Sequence, residues 1–123
     1  MTRQQEWARK ALEHVQKARD KGETYAKKYK TAAMKGASLV QRVGALQAVA
    51  FWMSRSDGAF RDFADHVAAT WRPGQRADAL RESLMKIPTD EYLIASRDLT
   101  EVALWFRRMA QAEMRDVTDD ANP

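Results

Sequence analysis

Apolar positions recur along this chain at steps of three and four residues, and strand-type alternation is absent, so the pattern predicts helices throughout. Trp7, Ala8, Ala11, Leu12, Val15 and Ala18 form the first stripe. It starts behind Thr2 and Gln5, which have the spacing of a capping box. Glu23 to Met34 continues in helical character, with Tyr25 and Tyr29 four apart, where they help pack the helix. Gly36 is expected to close that segment. The densest apolar run follows: Val43 to Met53 reads V-G-A-L-Q-A-V-A-F-W-M, in which Gln47 alone is neither apolar nor glycine. A helix that is apolar all round is buried on all sides. Ser38 to Ser54 is therefore predicted as a buried central helix, capped by Ser38, with Leu39, Val43, Leu46, Ala50 and Met53 on its large-residue face. Gly44 and Ala48 leave a shallow groove for close helix packing. The run is too short to cross a bilayer, which needs about 20 apolar residues.

Beyond it, Arg55-Ser56-Asp57-Gly58 reads as a turn, with Ser56 or Asp57 capping the next helix. That helix carries Phe60, Phe63, Ala64, Val67, Ala68 and Trp71 on one face and ends at Pro73-Gly74. A shorter helix, Arg76 to Lys86, rests on Ala77, Leu80 and Leu84 and stops before Pro88. Thr89 is the expected N-cap of the last helix, with Asp90 and Glu91 placed at the positive end of its dipole. Tyr92, Ala95, Leu99, Val102, Ala103, Phe106 and Ala110 form its inner face. The expectation is an all-α fold: a compact bundle of about five or six helices around a buried central helix. Residues 1–115 make one domain, and the acidic stretch 116–123 is expected to fray. Phe51 and Trp105, in the two most apolar helices, are both expected to be largely buried.

Composition removes most catalytic chemistry. The 123 residues include no cysteine and two histidines, so thiolate nucleophiles and sulfur-based zinc sites are absent. There is no glycine-rich phosphate loop, no H-E-x-x-H and no Ser/His/Asp pattern. Asp62, Asp65 and His66 share one helical turn but have no fourth ligand in view, which reads as a solvated face and not a metal site. His14 reads the same way, on the polar side of the first helix. The acids Asp90, Glu91, Asp98 and Glu101 fit helix starts and surface charge better than a glycosidase-type pair. The chain is expected to be no enzyme and to need no cofactor. No secretory h-region follows the N-terminus. With no cysteine, this suits a reducing cytoplasm.

Charge adds a partner. Residues 1–61 hold 13 basic against 5 acidic residues, a net of +8, while residues 62–123 hold 8 against 12, a net of −4. This asymmetry suits an anionic partner and equally suits head-to-tail contact between copies. If one helix ran from Arg3 to Lys35, then Arg3, Lys10 and Lys17 would repeat every seven residues. His14, Lys21, Lys28 and Lys35 would repeat likewise, offset by four, placing both series on one side. The stripe would be about 50 Å long at 1.5 Å per residue and could track a phosphate backbone. Lys17, Lys21, Lys28 and Lys35, with Arg42 further on, are the candidate nucleic-acid contacts. Gly22 is the weak joint, since a break there would split the stripe. Charged helix faces are also common without any ligand.

Three stretches resemble a known family, the small α-helical subunit of the type III-B CRISPR RNA-guided effector, the Cmr complex. Gln5, Ala8 and Ala11 fit a Q-x-x-A-x-x-A opening. Gly44, Gln47, Ala48, Ala50, Phe51, Ser54 and Arg55 fit the family's central N-G-L-x-Q-A-L-A-F-L-L-S-K segment. Thr100-Glu101 and Trp105 to Ala112 fit a T-x-E…W-L-K-R-F-A-E-A signature, loosely at the threonine and well from Trp105 on. Val43 replaces the asparagine, Ala45 the first leucine, and Phe106 and Met109 the usual Leu and Phe. The resemblance implies a non-catalytic helical bundle. Its copies would stack in a row along the larger subunits, beside the groove that holds crRNA and target RNA, in antiviral defence and away from any membrane. The small subunit of a type III-A or type I effector fills the same structural role. From the residues alone, a helical adaptor for an acidic protein remains open.

Overall fold

The computed structural model describes residues 1–118. Six helices follow in order: α1 (Arg3–Arg19), α2 (Glu23–Val43), α3 (Ala45–Ser54), α4 (Gly58–Trp71), α5 (Ala77–Leu84) and α6 (Thr89–Glu113). The expected all-α bundle is what forms. α2 and α6 share the largest contact and run antiparallel: the second residue after α2's end, Ala45, meets Ser96, while Lys30 reaches Met114. α1 lies along α6 in the same direction, since Arg3 meets Asp98 and Gln16 meets Glu113. α4 packs against α2 and α3, and α5 against α3 and α4.

Several helix ends form as their sequences dictate. Thr2 Oγ1 accepts from the Gln5 amide at 3.0 Å while Gln5 Oε1 accepts from the Thr2 amide at 2.8 Å, a complete capping box. Asp57 Oδ1 accepts from the Phe60 amide at 3.0 Å and starts α4. α6 begins at Thr89 itself, with Pro88 at the cap position, one residue from the expected cap. Its far end is closed by Lys30, whose ammonium donates to the carbonyls of Met114 at 2.8 Å and Val117 at 2.7 Å. A cation there also suits the negative end of the helix dipole. Residues 119–123, the rest of the acidic tail, lie outside the described residues.

The centre differs from the expectation. α2 continues through Gly36 and Ser38 to Val43, and the break falls at Gly44. Gly36 does not stop the helix because it serves packing: a Cβ there would lie 3.0 Å from Phe63 Cζ. Ser38 sits exposed in mid-helix and caps nothing. Gly44 has φ +85° and ψ 163°, a region essentially closed to residues with a side chain. The separate α3 is consequently amphipathic after all. Ala45, Ala48, Val49 and Trp52 face inward, while Phe51 is 45% exposed and Val43 37%. Phe51 is therefore a surface residue, and its neighbour Trp52, 2% exposed, is the anchor. Trp105 is half-buried, with its indole N–H donating to Gln4 Oε1 at 2.6 Å. The amphipathic period of α3 decides which aromatic is inside. Overall apolarity does not.

At the core's centre, the Phe63 ring meets Trp52, Phe106 and Tyr29 at centroid distances of 5.0, 5.4 and 5.7 Å. All three contacts are edge-to-face, within 10° of perpendicular, the arrangement that ring quadrupoles favour. Small residues on α2, namely Ala32, Ala33, Gly36 and Ala37, are buried and let its neighbours approach closely.

Candidate nucleic-acid interface

The lysine series is divided by the fold. α1 ends at Arg19, and Gly22 enters α2 at φ +102°, so the single rod from Arg3 to Lys35 does not exist. Lys17 stays on α1 and Lys21 lies in the connection. Lys28, Lys35 and Arg42 occupy one unbroken helix at seven-residue intervals, spanning about 21 Å at 1.5 Å per residue. Lys21 and Lys28 are brought together at one open hollow, bordered also by Gly22, Tyr25, Asp57 and Gly58. Part of the Lys21 charge is already engaged. Its ammonium is 3.9 Å from Asp62 and 5.0 Å above the Tyr25 ring. Lys17, Lys35 and Arg42 are exposed.

Asp62, Asp65 and His66 serve three separate structural purposes. Tyr25 donates its hydroxyl to Asp62 Oδ2 at 2.6 Å. Asp65 caps α5 by accepting from the Ala77 amide at 2.9 Å and pairs with Arg76 at 3.1 Å. His66 Nδ1 lies 2.8 Å from the Tyr29 hydroxyl. Among the described residues no three His, Asp or Glu side chains are gathered as metal ligands. Nor do these residues form a solvated face. His14 is half-buried and stacks on His66, with ring centroids 4.1 Å apart and planes 14° apart, and its other neighbour is Phe106 at 6.1 Å. Tyr29 is fully buried, which pushes its phenol well above the usual range. Tyr25 and Tyr29 thus serve packing, as their spacing suggests.

The histidine pair makes stability depend on pH. Burial lowers both, and His66 is pushed down to about 4, chiefly by burial and then by His14. Around His14 stand Lys17, Glu13 and Lys10; around His66 stand Asp62, Lys21 and Lys17. Both rings are neutral in the fold at pH 7. Below about pH 6.5 the unfolded chain takes up protons that the folded one refuses, so stability falls until the folded pKa is reached. For His66 the full loss is about 3 kcal/mol, at 1.36 kcal/mol per unit. Urea midpoints of the wild type and His66→Gln, compared from pH 7 to 4, should converge as pH falls. A gap that stays constant would show that His66 does not carry this linkage.

The α1–α6 seam holds most of α6's acids. Asp98, only 6% exposed, accepts from Arg3 at 3.2 Å and from the Trp71 indole at 3.2 Å. Glu101 accepts from Gln4 at 3.1 Å, and Glu113 from Gln16 at 3.2 Å and Arg19 at 3.4 Å. Arg97, Arg108 and Arg115 are left exposed on the outside. Counting charge by halves of the chain hides this basic side of an acidic half. The signal was present in the 11-residue spacing from Arg97 to Arg108, which brings both to one side of a helix with 3.6 residues per turn, while Arg115 lies in the turn beyond the end of α6.

A sequence model described as CRISPR-associated protein (Cas_Cmr5) matches residues 3–113. The chain belongs to the Cmr5 family. The CRISPR system Cmr subunit Cmr5 of Thermus thermophilus is 37% identical over 116 residues, covering 90% of this chain and 95% of that relative. The X-ray crystal structure of a CRISPR-associated Cmr5 family protein, also from Thermus thermophilus, is similar with a TM-score of 0.85 at 34% identity. It covers 93% of this chain and 98% of the other. Family membership makes the chain a small subunit of a Cmr complex, as the three sequence stretches implied. Among the described residues no helix is long and apolar enough to cross a membrane.

Proposed function

We propose that this Cmr subunit is non-catalytic and supports RNA binding in a cytoplasmic, antiviral type III-B ribonucleoprotein. Copies of it would stack in a row beside the groove that holds crRNA and target RNA. Lys17, Lys21, Lys28, Lys35 and Arg42 would meet phosphates there. The observation that carries this reading is the unbroken α2, which keeps Lys28, Lys35 and Arg42 on a line after the break at Gly22 removes α1 from it. Lys17 and Lys21 contribute from the neighbouring α1 end and connection.

Phosphate contacts give affinity without sequence preference, and each one lost flattens the log–log salt dependence of single-strand binding by about 0.7. Changing Lys28, Lys35 and Arg42 together to glutamine should therefore flatten the slope by about 2 when the assembled complex binds target RNA. Helical content should hold, because glutamine, lysine and arginine have similar helix propensity. A triple variant that assembles normally, and binds RNA with wild-type affinity and slope, would reduce these residues to a solvated face.

A further inference from the structure

We infer that the outer face of α6 is a self-complementary docking surface for a second copy of this chain, packed antiparallel across a two-fold axis at the level of Leu99. Asp90, Ile94, Arg97, Glu101, Leu104 and Arg108 fall within an arc of about 80° at 3.6 residues per turn. That arc is opposite the buried stripe of Ala95, Leu99, Val102, Phe106 and Ala110. Asp90, Arg97 and Arg108 are exposed and Glu101 and Leu104 half-exposed, while Ile94 is 51% exposed and its neighbour Leu93 63%. Accessible aliphatic side chains thus flank a charged line along this face, leaving apolar surface for a partner on either side of the Arg97 and Glu101 charges.

The order of these residues commits the surface to its own copy. Reversing α6 about position 99 places Asp90 opposite Arg108, Ile94 opposite Leu104, and Arg97 opposite Glu101. Each of the three pairings is complementary, and the two-fold axis repeats each one, giving six contacts over about 27 Å at 1.5 Å per residue. A parallel arrangement in register would set each charge against itself. Within one chain, Arg97 and Glu101 stand in the weaker order for a helical pair, base before acid. The Glu101 carboxylate turns instead to Gln4. The Arg97 guanidinium has no carboxylate within ion-pair distance among the described residues. Beside this face, a groove lined by Val40, Gly44, Tyr92, Leu93, Arg97 and Leu104 leaves room for the partner's side chains.

An isologous contact of this kind closes on itself and does not propagate. It therefore describes the free protein and stands apart from any row in the assembled complex. It is also independent of the lysines of α2. Exposed ion pairs are individually weak and screened by salt, so the dimer is salt-sensitive and concentration-dependent.

Sedimentation equilibrium at low and high salt tests it. The wild-type mass should rise from 14.1 kDa toward twice that value with concentration, and less so at high salt. Arg97→Glu alone sets like charges together and should stay monomeric, as should Glu101→Arg alone. Mixed in equal amounts, the two variants present opposite charges at both crossings and should dimerise again. As a second measure, Ile94→Cys/Leu104→Cys should cross-link between chains on oxidation. The chain has no cysteine of its own, and the two positions are about 15 Å apart along one helix, too far for an internal bridge. Wild type that stays monomeric without cross-linking, single variants that dimerise like wild type, or a mixture that stays monomeric would each overturn the proposal. If the wild type is monomeric and Arg97→Glu instead weakens incorporation into the Cmr complex or RNA binding, the proposal is overturned and the face belongs to that other partner.

Discussion

Trp52→Ala is expected to lower unfolding free energy by about 3–5 kcal/mol, the range for removing a large buried aromatic, whereas Phe51→Ala should cost about 1 kcal/mol or less. The two residues are adjacent in the same helix, and their difference is geometric. Trp52 is 2% exposed and meets Phe63 edge-to-face at 5.0 Å. Phe63 in turn touches Tyr29 and Phe106, so the indole joins α3 to a cluster drawn from α2, α4 and α6. Gly36 adds a constraint: a Cβ there would lie 3.5 Å from Trp52 Cζ2, so the indole fills space that α2 leaves for it. Interiors this dense relax only partly around a deletion, and the cavity term adds to the lost burial. Phe51 is 45% exposed, and its contacts are a ring edge with Phe60 at 6.5 Å and the Arg55 guanidinium at 5.8 Å. Those contacts lie at the rim, where truncation leaves no closed void. Denaturant midpoints of the two variants, measured side by side, decide the matter. A Phe51→Ala variant as unstable as Trp52→Ala would mean that α3 is rotated from the orientation described.

What the sequence conveyed well was periodicity. The faces of α1, α4 and α6 were legible because their apolar residues recur every three or four positions and their polar residues separate cleanly. Thr2, Gln5 and Asp57 carried cap chemistry whose geometry is fixed locally. The centre was less legible, because glycine has two opposite uses there. Gly36 is buried inside a continuous helix to admit the Phe63 ring, whereas Gly44 breaks the helix with a positive φ. Neither use is written in the neighbouring residues; each depends on a side chain from a distant helix. A stop at Gly36 makes Ser38 look like a cap, whereas the expected burial of Phe51 rests on the overall apolarity of its helix, which does not distinguish the inner Trp52 from the outer Phe51. His14 was misplaced for a related reason. A histidine opposite an apolar stripe looks solvated until α4 brings His66 onto it. On the surface, heptad spacing groups Lys21, Lys28 and Lys35 and marks Gly22 as the weak joint, but the stop expected at Gly36 hides that Arg42 continues the line on the same helix. The segregation of α6 charge depends on Arg3 and Arg19 of α1 holding Asp98 and Glu113, which the halves of the chain do not reveal.

Gly44→Ala is expected to cost about 3 kcal/mol, although alanine is the better helix former. Backbone strain supplies the first part. At φ +85° and ψ 163°, a residue with a Cβ pays of order 1–3 kcal/mol. Side-chain crowding supplies the second, because the added Cβ would lie 2.7 Å from the Tyr92 hydroxyl. That hydroxyl is in use. It accepts from the Leu46 amide at 3.2 Å while Ser96 Oγ accepts from the Ala45 amide at 3.2 Å. α6 thus satisfies the first free N–H groups of α3, which has no side-chain cap of its own. Moving Tyr92 aside exposes one of those donors, and a buried donor without a partner costs about 1–3 kcal/mol. Tyr92→Phe separates the two effects. By itself it should cost about 1 kcal/mol, the net worth of one hydrogen bond. Combined with Gly44→Ala it should cost less than the sum of the single changes, since the crowding is already removed and only the backbone strain remains. Strict additivity in this double-mutant cycle would show that the Cβ and the hydroxyl do not meet. A Gly44→Ala variant as stable as wild type would show that α2 and α3 can join as one helix without loss.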